Sequence, residues 1–189
     1  AGLPTNVVVA LAEAQDGALW MGTRDGLVRY HEGRFTAFST GNGLSSNAVR
    51  CLLVGRDGAL WIGTRWGGLN RLLNGQVTVY TRAEGLLHDD VRSLAEDPAG
   101  GIWVGSAGGL NFVHEGRVTA PRLATEPASP LVSALYMDRK GTLWVGTNAT
   151  LWEVPDAARH REAAATLPAT RRYAGTEVRA FFEDPVGSL

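Results

Sequence analysis

The four histidines and the single cysteine are the residues of this chain best suited to nucleophilic, acid–base or metal chemistry. His31 and His114 open the same tetrapeptide, His31-Glu32-Gly33-Arg34 and His114-Glu115-Gly116-Arg117. They are turn residues repeated by duplication, and such a repeat does not bring two ligands to one metal. His160 belongs to no cluster, no Cys/His spacing suits zinc, and neither a G-x-S-x-G elbow nor a phosphate loop occurs. Gly105-Ser106-Ala107-Gly108-Gly109 has the glycine content of a phosphate cradle, but it copies Gly63-Thr64-Arg65-Trp66-Gly67, so a turn between strands explains it. Cys51 sits where the related segments carry Ala or Ser, a place for a small apolar side chain; alone, it cannot close an internal disulfide. We expect no catalytic constellation, no metal and no cofactor.

Binding residues are better represented. His88-Asp89-Asp90 departs from its counterpart, taken as Ser45-Ser46-Asn47, in a loop that leads into a strand. A contact to a cation or polar ligand and a solvated loop are both open readings there. Trp66 stands on a turn beside Arg65, where the matching turns read Arg24-Asp25-Gly26, Ala107-Gly108-Gly109 and Asn148-Ala149-Thr150. A tryptophan so placed suits sugar stacking or a partner contact, or else packs on the adjacent loop. Arg24, Arg65, Trp66, His88 and Asp89 are the candidate ligand residues. Arg50, Arg92 and Arg179 share one position near the start of three strands; they line a channel mouth or pair with nearby acids, and pairing is the preferred reading.

These residues hang on a repeat. Leu19-Trp20-Met21-Gly22-Thr23, Leu60-Trp61-Ile62-Gly63-Thr64, Ile102-Trp103-Val104-Gly105-Ser106 and Leu143-Trp144-Val145-Gly146-Thr147 recur about every 40 residues, the period of a propeller blade. A tight turn precedes each, as at Asp16-Gly17 and Asp57-Gly58. Glycine turns interrupt the chain too often for useful helices. The pattern predicts an all-β partial propeller: four-stranded antiparallel blades over 6–40, 47–81, 90–121 and 131–170, and the first strand of a fifth within 177–189. The stretch 156–165 is a surface insertion with room for one helical turn. Trp20, Trp61, Trp103 and Trp144 are expected to be buried between neighbouring blades, and the Gly-Thr after each to let the next turn approach closely.

With 189 residues and a formal net charge of -1, the chain can bury a core but shows no electrostatic footprint for nucleic acid or an anionic membrane. No apolar run is long enough to cross a bilayer. Both ends interrupt the repeat, so a fragment of a longer protein is expected. Its open ends would self-associate or meet the missing blades of the parent; a closed four-blade ring is the competing outcome.

The segments Gly43-Leu44-Ser45-Ser46-Asn47-Ala48-Val49-Arg50, Arg56-Asp57-Gly58-Ala59-Leu60-Trp61-Ile62-Gly63-Thr64 and Gly67-Gly68-Leu69-Asn70-Arg71 resemble the two-component regulator propeller repeat, as does Gly2-Leu3-Pro4-Thr5-Asn6. The resemblance weakens in the fourth unit, at Pro127 and Asn148-Ala149-Thr150. It implies the periplasmic sensor region of an inner-membrane bacterial receptor, non-enzymatic itself, with a histidine kinase or diguanylate cyclase elsewhere in the parent. Some relatives sense glycan fragments, but a ligand class does not carry over from repeat similarity; a small-molecule or glycan ligand is an open reading here. A propeller lyase and a pure protein-interaction platform are the alternatives.

Overall fold

The computed structural model describes residues 5–123, 130–161, 166–175, 177–181 and 183. Gly2-Leu3-Pro4, Pro127 and the end of the fifth unit at 184–189 lie outside them. The first sheet runs β1 (Val8–Glu13), β2 (Leu19–Thr23), β3 (Gly26–His31) and β4 (Arg34–Phe38). The second runs β5 (Val49–Val54), β6 (Leu60–Thr64), β7 (Leu69–Leu73) and β8 (Gln76–Tyr80). The third comprises β9 (Val91–Glu96), β10 (Ile102–Ser106), β11 (Gly109–His114) and β12 (Arg117–Thr119), and β13 (Arg122–Leu123) follows it. The fourth comprises β14 (Val132–Met137), β15 (Leu143–Thr147), β16 (Thr150–Val154) and β18 (Thr170–Ala174); β17 (Thr166–Leu167) pairs in parallel with β13. These are the four antiparallel blades of a partial all-β propeller. The fourth blade reaches past the expected end at 170, because a 3₁₀ turn at Ala157–Arg159 and the detour through β17 delay its outermost strand.

Turn chemistry sets the hairpins. Glu32-Gly33, Asn74-Gly75 and Glu115-Gly116 each place two successive residues at positive φ, the twist that matches a two-residue hairpin to its strands. The Asp57 carboxylate accepts a hydrogen bond from the Ala59 amide across its turn at 3.0 Å, and Asp16 does the same for Ala18. Arg71 and Arg29 then reach back to those carboxylates from the third strand of each sheet.

The repeated Trp fills the seams. Trp20 packs with Leu60, Ile62 and Leu72 of the second sheet. Trp61 packs with Ile102 and Val104 of the third, and Trp103 with Leu143, Val145 and Trp152 of the fourth. Relative exposures of 8%, 6% and 0% agree with the expectation for these three. Trp144 departs from it: its ring is only half-buried. No complete sheet follows on its side among the described residues, so its seam is covered only in part.

The glycine after each Trp has a definite neighbour. A Cβ on Gly22 would meet Val49 at 2.5 Å, one on Gly63 Val91 at 2.7 Å, and one on Gly105 Val132 at 2.5 Å. What approaches is therefore the first strand of the next blade, rather than the turn that follows. A Cβ on Gly146 would meet Val178 at 2.7 Å, so the fifth unit docks on the fourth sheet at the same place, although its described residues form no strand where a first strand was expected. Tyr136 stacks on Phe181 and donates a hydrogen bond to Glu183 at 2.6 Å, which completes that joint.

Strands β1, β5, β9 and β14 lie side by side as the innermost layer. Among the described residues the sheets do not close into a ring, and Val178 packs on the fourth sheet. At the other end Leu11, Tyr30 and Phe35 are exposed at 61%, 39% and 39%. Their register equivalents Leu52, Leu72 and Val77 are packed in the seam under Trp20. The first sheet therefore exposes the face that the second buries.

Candidate functional site

Each innermost strand carries an irregularity near its start. Pairing steps from Val8 to Ala10 in β1, from Val49 to Cys51 in β5, from Val91 to Ser93 in β9 and from Val132 to Ala134 in β14. The skipped residues are Val9, Arg50, Arg92 and Ser133. A bulged residue is turned out of the ladder, and all four point to one place. Together with Arg179 and Glu177 of the fifth unit and with Arg24 and Arg65, they line a cavity of about 370 Å³ where the innermost strands converge.

Arg24 and Arg65 reach this mouth from loops built by the last residue of the Trp motif. Thr23 and Thr64 are fully buried, and their hydroxyls donate to the carbonyls of Gly26 and Gly68 at 2.8 and 2.9 Å. Each loop is thus closed from below, and the following arginine is left outside.

The floor is an ion-pair cluster. Asp90 is 2% exposed, and its carboxylate accepts two hydrogen bonds from Arg92 at 2.9 and 3.1 Å. Its other oxygen lies 2.6 Å from the Arg50 Nε. That contact is coulombic but poorly aligned: the Arg50 Nε–H and the Asp90 Oδ1 are both buried without a hydrogen bond. Arg179 pairs with Glu177 at 2.8 Å. The two sequence readings of Arg50, Arg92 and Arg179 therefore hold together, since they pair with acids and line the mouth.

Trp66 stands on the rim, 65% exposed and at φ 74, a strained backbone setting for a bulky residue. The Arg65 guanidinium lies 5.0 Å from its ring centroid, and the His88 ring 6.4 Å away. Arg65, Trp66 and His88 are thus neighbours on the same side as the Asn47 loop, where Ser46 donates to the Arg65 carbonyl.

His88 and Asp89 do not point into the mouth. The Nδ1 of His88 accepts from the Asp90 amide at 2.9 Å, and the Asp89 carboxylate accepts from the Arg82 amide. In the preceding blade, Ser46 accepts from Ala48 and Asn47 from Thr40. The sequence register is thereby corrected by one residue: His88 matches Ser46, Asp89 matches Asn47, and Asp90 replaces Ala48. His88 and Asp89 build their loop as their counterparts do. The residue that departs from its counterpart is Asp90, which the sequence reading named with the cluster but left out of the candidate ligand residues; the signal was a carboxylate at an Ala position two residues before an arginine. Cys51 occupies a small-residue position opposite Gly63, and burial pushes its thiol up to about 12, which leaves almost no thiolate at neutral pH.

The model of the two component regulator propeller matches residues 2–25, 43–66, 85–108 and 127–149, together half of the chain. No curated protein matches. Among solved structures, virginiamycin B lyase of Staphylococcus aureus superposes with a TM-score of 0.72 at 15% identity, over 94% of this chain and 61% of the lyase. The extracellular domain of the hybrid two component system BT4673 of B. thetaiotaomicron gives a TM-score of 0.72 at 23% identity, over 99% of this chain and 26% of that one. That of BT3049 gives 0.54 at 22%, over 98% and 31%. The chain spans less than two thirds of each, and at such identities the likeness establishes the propeller fold alone. Four matched repeats on four successive blades, three of them with the Trp buried in a seam and the Gly under the first strand of the next blade, place this chain in the two component regulator propeller family.

Proposed function

We propose that this chain is the non-enzymatic, extracytoplasmic ligand-sensing propeller of a bacterial two-component-type receptor, and that its ligand occupies the axial mouth. One observation carries the reading. The bulge position supplies one residue per blade to a single cavity, and that residue varies as Val9, Arg50, Arg92 and Ser133 while the Trp, Gly and Thr beneath it recur. Repeated residues build a scaffold; residues that differ between repeats on one surface specialise it. A small molecule bridging several blades would alter how rigidly the arc is held, a change that a receptor can transmit.

Fold likeness to a lyase favours the enzymatic alternative, but neither histidine nor cysteine lines the mouth among the described residues. Glu177, the carboxylate that lines the mouth among the described residues, is paired with Arg179, which disfavours it as the acid–base group of an elimination. We also propose that the exposed face of the first sheet takes up another blade of the same kind, from a second copy or from the parent protein.

The reading is tested by a ligand screen in differential scanning fluorimetry with Val9→Trp as partner variant. A compound that raises the melting temperature of the wild type but not of Val9→Trp supports the mouth. A ligand that stabilises both equally sinks it.

A further inference from the structure

The charge in the mouth goes beyond what holds the fold. Five guanidinium groups surround the cavity: Arg24, Arg50, Arg65, Arg92 and Arg179. Two carboxylates answer them, Asp90 for Arg50 and Arg92, and Glu177 for Arg179. Arg24 and Arg65 have no carboxylate partner among the described residues. The chain as a whole carries a formal charge of -1, so this positive concentration is local. Like charges gathered around a partly enclosed cavity repel one another and focus potential on whatever enters it.

We propose that the axial mouth binds a small ligand bearing two or more oxyanion groups: carboxylate, sulfate or phosphate. This rests on the reading of the mouth as the ligand site and names the chemistry it selects. Arg24 and Arg65 are the first clamp, since their guanidinium groups are not already paired with acids. A planar guanidinium offers parallel donors that match the two oxygens of a carboxylate or phosphate. Arg50 and Arg92 form the back of the site, oriented by the buried Asp90, which is a positioning residue. Trp66 covers the rim beside Arg65 and offers an apolar face to the carbon skeleton of an acidic sugar. Two anionic groups on the ligand offset most of the excess charge, whereas a neutral sugar leaves it uncompensated.

The test is titration calorimetry of the chain at low ionic strength with three probes: digalacturonate, a sugar bisphosphate and cellobiose. The first two separate a carboxylate source from a phosphate source; the third is neutral. The expected result is binding of at least one anionic probe, weakened about tenfold or more in Arg24→Gln/Arg65→Gln and unaffected in Arg34→Gln on a distant hairpin. The dissociation constant of the anionic probe should also rise with added sodium chloride, as screening requires. Failure of both anionic probes to bind overturns the proposal, as does equal binding by the double variant. Cellobiose binding as tightly as digalacturonate overturns it too. If Val9→Trp then abolishes cellobiose binding, the mouth remains the ligand site and only its anionic selectivity is lost.

Discussion

Arg50 of the second blade and Asp90 of the third meet at 2.6 Å across the seam, with the carboxylate almost wholly buried and the guanidinium facing the axial mouth. One acid thus ties two blades together and aims two arginines, because Arg92 holds its second oxygen. Fold stability and site geometry share this residue.

Asp90→Asn keeps the shape and removes the charge. We expect a loss of about 1–3 kcal/mol, less than for a fully buried pair because both arginines stay partly hydrated. Urea unfolding measures it. An unchanged midpoint would show that Asp90 neither ties the blades nor anchors the mouth.

The seams should differ in strength. Trp103→Ala removes a fully buried ring between complete blades and should cost about 3–5 kcal/mol. Trp144→Ala removes a half-buried ring and one hydrogen bond from its indole to Asp138, and should cost distinctly less. Equal losses in denaturant melts would contradict the seam assignment.

The Asp57 latch gives a pH dependence. Burial is the largest single influence on its carboxyl and opposes ionisation, but the Arg71 guanidinium and the Ala59 amide together hold the pKa below the ordinary 3.8. A lowered folded pKa stabilises the fold at pH above the unfolded value, and the contribution disappears as pH falls through the folded one. Asp57→Asn should therefore narrow the stability difference between pH 6 and pH 3. Parallel pH profiles for the two proteins would be fatal to the latch.

Leu11, Tyr30 and Phe35 present an apolar face that the same positions bury in the next blade. Analytical ultracentrifugation should find the wild type associating and Leu11→Lys/Tyr30→Lys shifted towards monomer. A wild type that stays monomeric at high concentration would count against self-association through this face.

The family, the all-β class, the blade period and the burial of three of the four repeated tryptophans were legible in the sequence, because each follows from local rules: turn residues fix hairpins, and a repeated ring needs a repeated seam. Trp66 could be nominated because it breaks the repeat, and Arg24 and Arg65 because their shared turn position carries Ala107 and Asn148 in the other units. A channel mouth was an open reading for Arg50, Arg92 and Arg179, but the bulges that bring Val9 and Ser133 to the same place could not be read. A bulge moves one residue out of a strand's alternation, and nothing in Val9, Arg50, Arg92 or Ser133 marks it as skipped until the pairing register is known. His88 and Asp89 were singled out for the same reason in reverse: a one-residue ambiguity in loop register is invisible in sequence, yet it decides which side chains hold the loop and which one, Asp90, reaches the arginines. Trp144 shares its motif with the other three, but burial belongs to the neighbouring blade and not to the residue, so only the tertiary arrangement could decide it.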